Sequence, residues 1–194
     1  MNKKHANDPL ISSPYGDSPI LLHSCCAPCV CSIMETLKNS NIRCTVFFYN
    51  PNIDNRDEYE KRKTENIKYA KKLNIPFIDA DYDNINWANT IKGYENEPER
   101  GKRCSLCFEM RLQGTARYAS DNGFKAFTSS LGISRWKDFK QITECGIEVA
   151  KHYPELNYWT YNWRKKGGTD KMAQISKIEN FYRQQYCGCI FSKK

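Results

Sequence analysis

Apolar and polar positions follow two periods along this chain, and the two periods take turns. Ile20–His23 is a short apolar run that reads as a buried strand, and Thr45–Tyr49 is a second, closed by Asn50-Pro51-Asn52. Between them Pro28 opens a helix expected to reach Asn39, since proline is tolerated in a first turn. From Asn55 to Leu73 charged and apolar residues recur at helical spacing, with Glu58, Lys61, Arg62 and Glu65 expected on the exposed face. Pro76–Ile78 and Ala126–Thr128 supply two more strands. The middle is rich in helix, and Gly93–Gly101 (GYENEPERG) is a loop. Cys104 starts a long helix to about Asn122, with Gly123 as its stop signal. Further helices are expected over Lys137–His152 and Asp170–Tyr186.

Strands alternating with helices predict an α/β fold, a single domain with a mainly parallel sheet flanked by helices on both faces. Residues 1–18 are polar and rich in Pro, Gly and Ser, so they read as a flexible leader, leaving 19–194 as one catalytic domain. In such folds ligands gather beyond the carboxyl ends of the strands. Cys25-Cys26, Tyr49-Asn50 and Thr128–Ser130 all lie at strand ends and are expected to converge on one crevice.

Composition narrows the setting. The 194 residues are 40% hydrophobic and 27% charged, ordinary for one globular domain. No apolar run reaches the length of a signal peptide core or a membrane span, so the expected location is cytoplasmic, with no membrane partner. There ten cysteines argue for metal binding or redox catalysis over a disulfide scaffold. The formal charge of +8, with 12 Tyr and 4 Trp, suits a surface that meets phosphate and stacks on bases; a basic solvated surface explains the charge equally well. The run Trp163–Gly168 (WRKKGG) is basic, aromatic and flexible, and its Arg164 is a phosphate candidate. Arg62, Arg111 and Arg183, each placed in a helix near the crevice, are others, and Tyr49 and Asn50 join them as substrate-binding candidates. His23, in a strand, reads as a satisfied core histidine. No phosphate loop or dinucleotide fingerprint is present.

Six cysteines form three tight pairs: Cys25-Cys26, Cys104-x-x-Cys107 and Cys187-x-Cys189. Cys104 and Cys107 share one helix face, at an N-terminus whose dipole favours the thiolate. Together with Cys25 and Cys26 they make a four-sulfur set suited to structural zinc or an iron–sulfur cluster, and adjacent cysteines favour the cluster. Cys26 and Cys29 also make a C-x2-C, so ligation by Cys25/Cys26 and by Cys26/Cys29 both stay open on spacing. Cys187-Gly188-Cys189 would close a small, strained and readily reduced disulfide ring, or else supply two more metal ligands. Cys29, Cys31, Cys44 and Cys145 read as buried small hydrophobes.

These motifs carry a family resemblance. LLHSCCAPC, FFYNPNI with Glu58-Tyr59 and Arg62, CSLC with Arg111, and the closing FYRQQYCGC resemble the QueH family of cobalamin-independent epoxyqueuosine reductases, from Ile20 to Ser192. The resemblance implies the last step of queuosine biosynthesis, in which epoxyqueuosine at the wobble position of tRNAs for Asn, Asp, His and Tyr loses its epoxide oxygen. It implies that Cys25, Cys26, Cys104 and Cys107 hold a [4Fe-4S] cluster and that Cys187 and Cys189 form a redox-active pair. It further implies a second iron near the cluster, with ligands unassigned, and an unknown electron donor. The segment CSLCFEMRLQGTARYA is similar to the cysteine-bearing helix of PP-loop tRNA thiolases, which implies an adenine nucleotide hydrolase-like fold. Asn162 stands where relatives are expected to carry an acid.

Removing an epoxide oxygen to leave an alkene needs two electrons and two protons, which a Cys187/Cys189 dithiol can supply. Tyr49, Glu58 and Tyr182 are candidate proton donors. Two rivals make different demands: an iron–sulfur tRNA thiolase needs ATP, whose loop is missing, and a zinc-stabilised tRNA-binding module has no use for a third cysteine pair.

Overall fold

A computed structural model describes residues 10–80 and 82–193. Five parallel strands form its sheet: β1 (Ile20–His23), β2 (Cys44–Phe48), β3 (Phe77–Asp79), β4 (Ala126–Ser129) and β5 (Asn157–Tyr158). Their order is β3-β2-β1-β4-β5. The chain builds outward from β1 through β2 to β3, then returns to pair β4 on the other side of β1, so β1 borders the switch point.

Burial on both faces explains why β1 carries the unbroken apolar run Ile20–Leu22. Ile20 and Leu22 face one core with Val46 and Ala126, whereas Leu21 faces the other with Phe47, Leu112 and Phe127. The first face is covered by α1 (Ala27–Asn39), which packs on α2 (Arg56–Leu73) and α6 (Gly168–Ile178). The second is covered by α4 (Lys102–Asp121) against α5 (Phe139–Ala150), with α3 (Asn84–Thr90) beside α4. The helix ends are signalled locally. Asn55 caps α2 by accepting from the Asp57 and Glu58 amides at 2.7 and 3.2 Å. Gly123, at φ 73, follows α4 where the stop was expected.

The α/β fold with a parallel sheet flanked by helices is as the pattern predicts. Three local expectations are corrected. Glu58 and Arg62 are not on the exposed face of α2: they form a buried pair, Arg62 Nη2 to Glu58 Oε1 at 2.6 Å, beneath the C-terminal segment. The last helix ends at Ile178 instead of Tyr186, because Asn180 adopts a left-handed φ of 50 and the Phe181 amide turns back to Ser176 O at 3.1 Å, a Schellman stop. Arg183 therefore lies outside any helix. Strand β5 has two residues, too few for a period to show.

Of the expected leader, residues 1–9 lie outside the described residues. Residues 10–18 rest on the body: the Ile11 amide donates to Ser40 Oγ at 3.1 Å, and Tyr15 packs edge-on to Trp159 at 6.4 Å. No helix among the described residues is long and apolar enough to cross a membrane.

Candidate iron–sulfur site

The carboxyl ends of β1, β2 and β4 meet through hydrogen bonds from their first loop residues. Asn50 Nδ2 donates to Ser24 O at 2.9 Å, and the Cys25 amide donates to Ser130 Oγ at 3.1 Å. His23 is buried beneath them. Its Nε2 donates to Tyr49 O at 3.0 Å, which leaves Nδ1 to accept from Ser129 Oγ at 2.9 Å. Burial holds it neutral, its pKa lowered to about 3, so it is the satisfied core histidine expected of it.

The turn from β1 into α1 gathers three sulfurs. Cys25, Cys26 and Cys29 place their Sγ atoms within 4.8 Å of one another, with Cys25 and Cys26 3.7 Å apart. Cys29 is thus more than a buried small hydrophobe. Hydrogen bonds from Cys26 and Cys29 hold the Cys25 thiol well below the ordinary range, with Lys137 and Arg111 adding to the effect. The same bond from Cys25 pushes Cys26 up to about 12, and Cys29 is raised likewise. Gln184 Nε2 donates to Cys26 Sγ at 2.9 Å.

Cys29 opens onto a cavity of about 300 Å³ that is also lined by Cys104, Cys107, Cys187 and Cys189. Cys29 and the two later pairs therefore line one cavity, with Cys25 and Cys26 grouped around Cys29, although at least 77 residues separate each pair from the next. Cys104 and Cys107 come from the first turns of α4. Burial raises both thiols, so the helix N-terminus does not by itself make them thiolates. Cys189 packs with Cys107, Trp87 and Ile91. All ten cysteines are free thiols. Cys31, Cys44 and Cys145 stand away from this cavity, their pKa values raised by burial to about 12, 12 and 11.

The C-terminal segment is bound down by buried polar groups. Arg62 donates to Cys187 O at 3.0 Å and Tyr186 O at 3.2 Å, and the Asp54 amide donates to Gly188 O at 3.0 Å. Tyr182 Oη donates to Glu58 Oε2 at 2.8 Å. Ser192 Oγ accepts from the Cys187 amide at 3.1 Å and donates to Cys189 O at 2.7 Å, closing a small turn around the pair.

None of the six residues expected to meet substrate lines the cavity. Arg62 is occupied by Glu58 and the segment carrying Cys187, and Arg111 donates to Asn50 Oδ1 at 2.5 Å. Arg164 Nη2 donates to Ser134 O and, at 2.8 Å, to Lys137 O. Tyr49 is half-buried with its ring against Gly114, and Arg183 is exposed. Asn162 accepts from the Arg164 amide at 3.1 Å and is also off the cavity.

In their place the lining includes Asn52, Arg100, Arg103, Trp136 and Lys137, which the sequence reading missed. Burial disfavours the Lys137 ammonium, but Cys187, Cys25 and Cys29 around it outweigh that and raise its pKa. One clue was in view: Ser134–Lys137 follows the end of β4, where ligands collect in this architecture.

The donor set fits a soft metal centre. Thiols are the ligands of iron–sulfur clusters, and more than four of them converge here. Asn52 Oδ1 and Gln184 Oε1, on two lining residues, are buried without a partner, which suits a polar occupant.

A family model described as epoxyqueuosine reductase QueH matches residues 20–194. The epoxyqueuosine reductase QueH of Acinetobacter baylyi is 59% identical over 179 residues, 92% of this chain and 82% of that protein. That of Haemophilus influenzae is 54% identical over 194 residues, 98% and 79% of the two chains. That of Thermotoga maritima is 33% identical over 176 residues, 89% of each. Among solved structures, the U34-tRNA thiolase NcsA from Methanococcus maripaludis with its [4Fe-4S] cluster aligns at a TM-score of 0.60 and 10% identity. That alignment covers 92% of this chain and 62% of the other, and the likeness is one of fold.

Proposed function

The chain belongs to the epoxyqueuosine reductase QueH family, and we propose that it reduces the epoxide of epoxyqueuosine at the tRNA wobble position to give queuosine, on acceptor tRNAs for Asn, Asp, His and Tyr. The observation that carries this reading is a cavity of about 300 Å³ lined by Cys104, Cys107, Cys187, Cys189 and Cys29, whose sulfur is grouped with those of Cys25 and Cys26. Cys25, Cys26, Cys104 and Cys107 would hold a [4Fe-4S] cluster. When bound, such a cluster supplies one-electron transfer and a Lewis-acidic iron.

The protein's own groups account for the stoichiometry. Two thiols of Cys187 and Cys189 give up two electrons and two protons. Both C–O bonds of the epoxide break, a C=C bond forms, the oxygen leaves as water, and an S–S bond closes between the two cysteines. An external reductant then restores the dithiol. The left-handed φ of 119 at Gly188 bends the backbone between the two thiols, and Arg62 holds the Cys187 carbonyl. Lys137 lines the cavity as a stably protonated ammonium, its pKa raised by Cys187, Cys25 and Cys29, so it serves as a fixed positive charge toward the thiolates and toward negative charge that develops at the oxygen. Tyr182 and Glu58 bond to each other and serve the segment's position; neither lines the cavity.

The test is anaerobic purification with iron and sulfide analysis, followed by assay on epoxyqueuosine-tRNA. Wild type is expected to carry about four irons and four sulfides and to bleach with dithionite. Cys187→Ser and Cys189→Ser are expected to keep the iron and lose turnover. Normal multiple turnover in either would refute the dithiol's role, and one zinc without sulfide would refute the cluster.

A further inference from the structure

The four tryptophans divide sharply. Trp87, Trp159 and Trp163 are 3%, 6% and 4% exposed, whereas Trp136 is 68% exposed. Trp136 also lines the thiol cavity, so a large aromatic ring stands in water at its mouth. The Arg135 guanidinium lies 4.8 Å from the ring centroid, and Arg100 Nε donates to Trp136 O at 3.1 Å. One cation, Arg135, therefore lies against the ring, Arg100 holds the backbone carbonyl behind it, and the next residue, Lys137, lines the same cavity as the thiols.

The segment is held in place from several sides. The Trp136 and Lys137 amides donate to Ser134 Oγ at 3.4 Å and Ser134 O at 3.2 Å. Arg164 binds the carbonyls of Ser134 and Lys137. Arg100 has a left-handed φ of 69, uncommon for a residue other than glycine, and its amide donates to Cys104 Sγ at 3.3 Å. Gln141 Nε2 then ties Arg100 O at 3.0 Å to Ser105 Oγ at 2.7 Å. The exposed ring is thus wired to the helix turn that carries Cys104.

We propose that Trp136, backed by Arg135 and Arg100, is a stacking platform for an unpaired nucleobase adjacent to the nucleotide that enters the cavity. The proposal rests on the RNA reading above. An exposed aromatic ring beside arginines matches how single-stranded nucleic acid is gripped: bases stack on rings while cations meet the backbone. A cavity of about 300 Å³ admits one nucleobase and not a helix, so its neighbours must lie at the mouth, where Trp136 stands.

The experiment measures binding of a fluorescein-labelled anticodon stem-loop RNA to the anaerobically purified holoprotein across a salt series. Trp136→Ala is expected to weaken binding on the order of tenfold and leave the slope against salt unchanged. Trp136→Phe is expected to restore most of the affinity. Arg135→Ala is expected to weaken binding and lower the salt slope by about one. Wild-type affinity in Trp136→Ala, with the RNA still bound, would overturn the platform and leave the RNA reading standing. No binding to the wild-type protein would overturn both.

Discussion

Gly188 shows how one residue constrains the site. Its φ is 119, and an added Cβ would meet Ile53 Cγ1 at 3.0 Å, Asn52 Nδ2 at 3.1 Å and Arg62 Nη1 at 3.2 Å. Gly188→Ala is therefore expected to cost about 1–3 kcal/mol of stability and to shift the Cys187/Cys189 pair, read as a lower urea midpoint together with reduced turnover. Cys44 makes a separate prediction. Burial at the edge of the core pushes its thiol up to about 12, so the folded chain keeps a proton that the unfolded chain loses above pH ~9. Folded then binds more protons than unfolded, and stability falls as pH rises from ~9 toward 12. The loss from this residue is about 1 kcal/mol at pH ~10. Urea melts of wild type and Cys44→Ala at pH ~8 and ~10 isolate it, because every other titrating group is shared.

At the scale of elements, helix α2 joins the sheet to the C-terminal segment through one buried ion pair. Removing one partner strands the other charge, so Arg62→Ala is expected to cost about 3–5 kcal/mol, with faster alkylation of Cys187 as its carbonyl is released. The double change Glu58→Gln with Arg62→Met removes both charges and is expected to cost less; thermal melts of the two variants make the comparison. Element types were legible because parallel strands buried on both faces leave unbroken apolar runs, as in Ile20–Leu22, and because Asn55 and Gly123 mark helix ends locally. The last helix was read too long because its pattern continues past Asn180, whose left-handed turn is a local choice that periodicity does not register. The same blindness put Glu58 and Arg62 on a solvated face: an acid and a base four residues apart look alike whether exposed or buried.

For the whole molecule, the question is which sulfurs form the ligand set. Cys25, Cys26 and Cys29 all lie within 4.8 Å of one another, yet a four-thiolate set completed by Cys104 and Cys107 needs only two of them. If Cys25 and Cys26 are the ligands, Cys29→Ala is expected to retain about four irons per chain while Cys25→Ser loses most of them. The reverse result would move the ligand set to Cys26/Cys29; iron analysis of the two purified variants decides. The cysteine pairs, the α/β class and the family resemblance could be read from the chain alone, since each rests on residue types and spacings that are local. The cavity's other walls could not. Asn52, Arg100, Trp136 and Lys137 come from three separate loops with no shared motif, and Arg62, Arg111 and Arg164, three of the four arginines that looked like phosphate ligands, are turned onto the protein's own oxygens. Which side chain faces a cavity depends on how distant segments pack. A sequence specifies that packing only through all of its contacts at once, so the thiols were legible in the chain and their surroundings were settled by the tertiary structure.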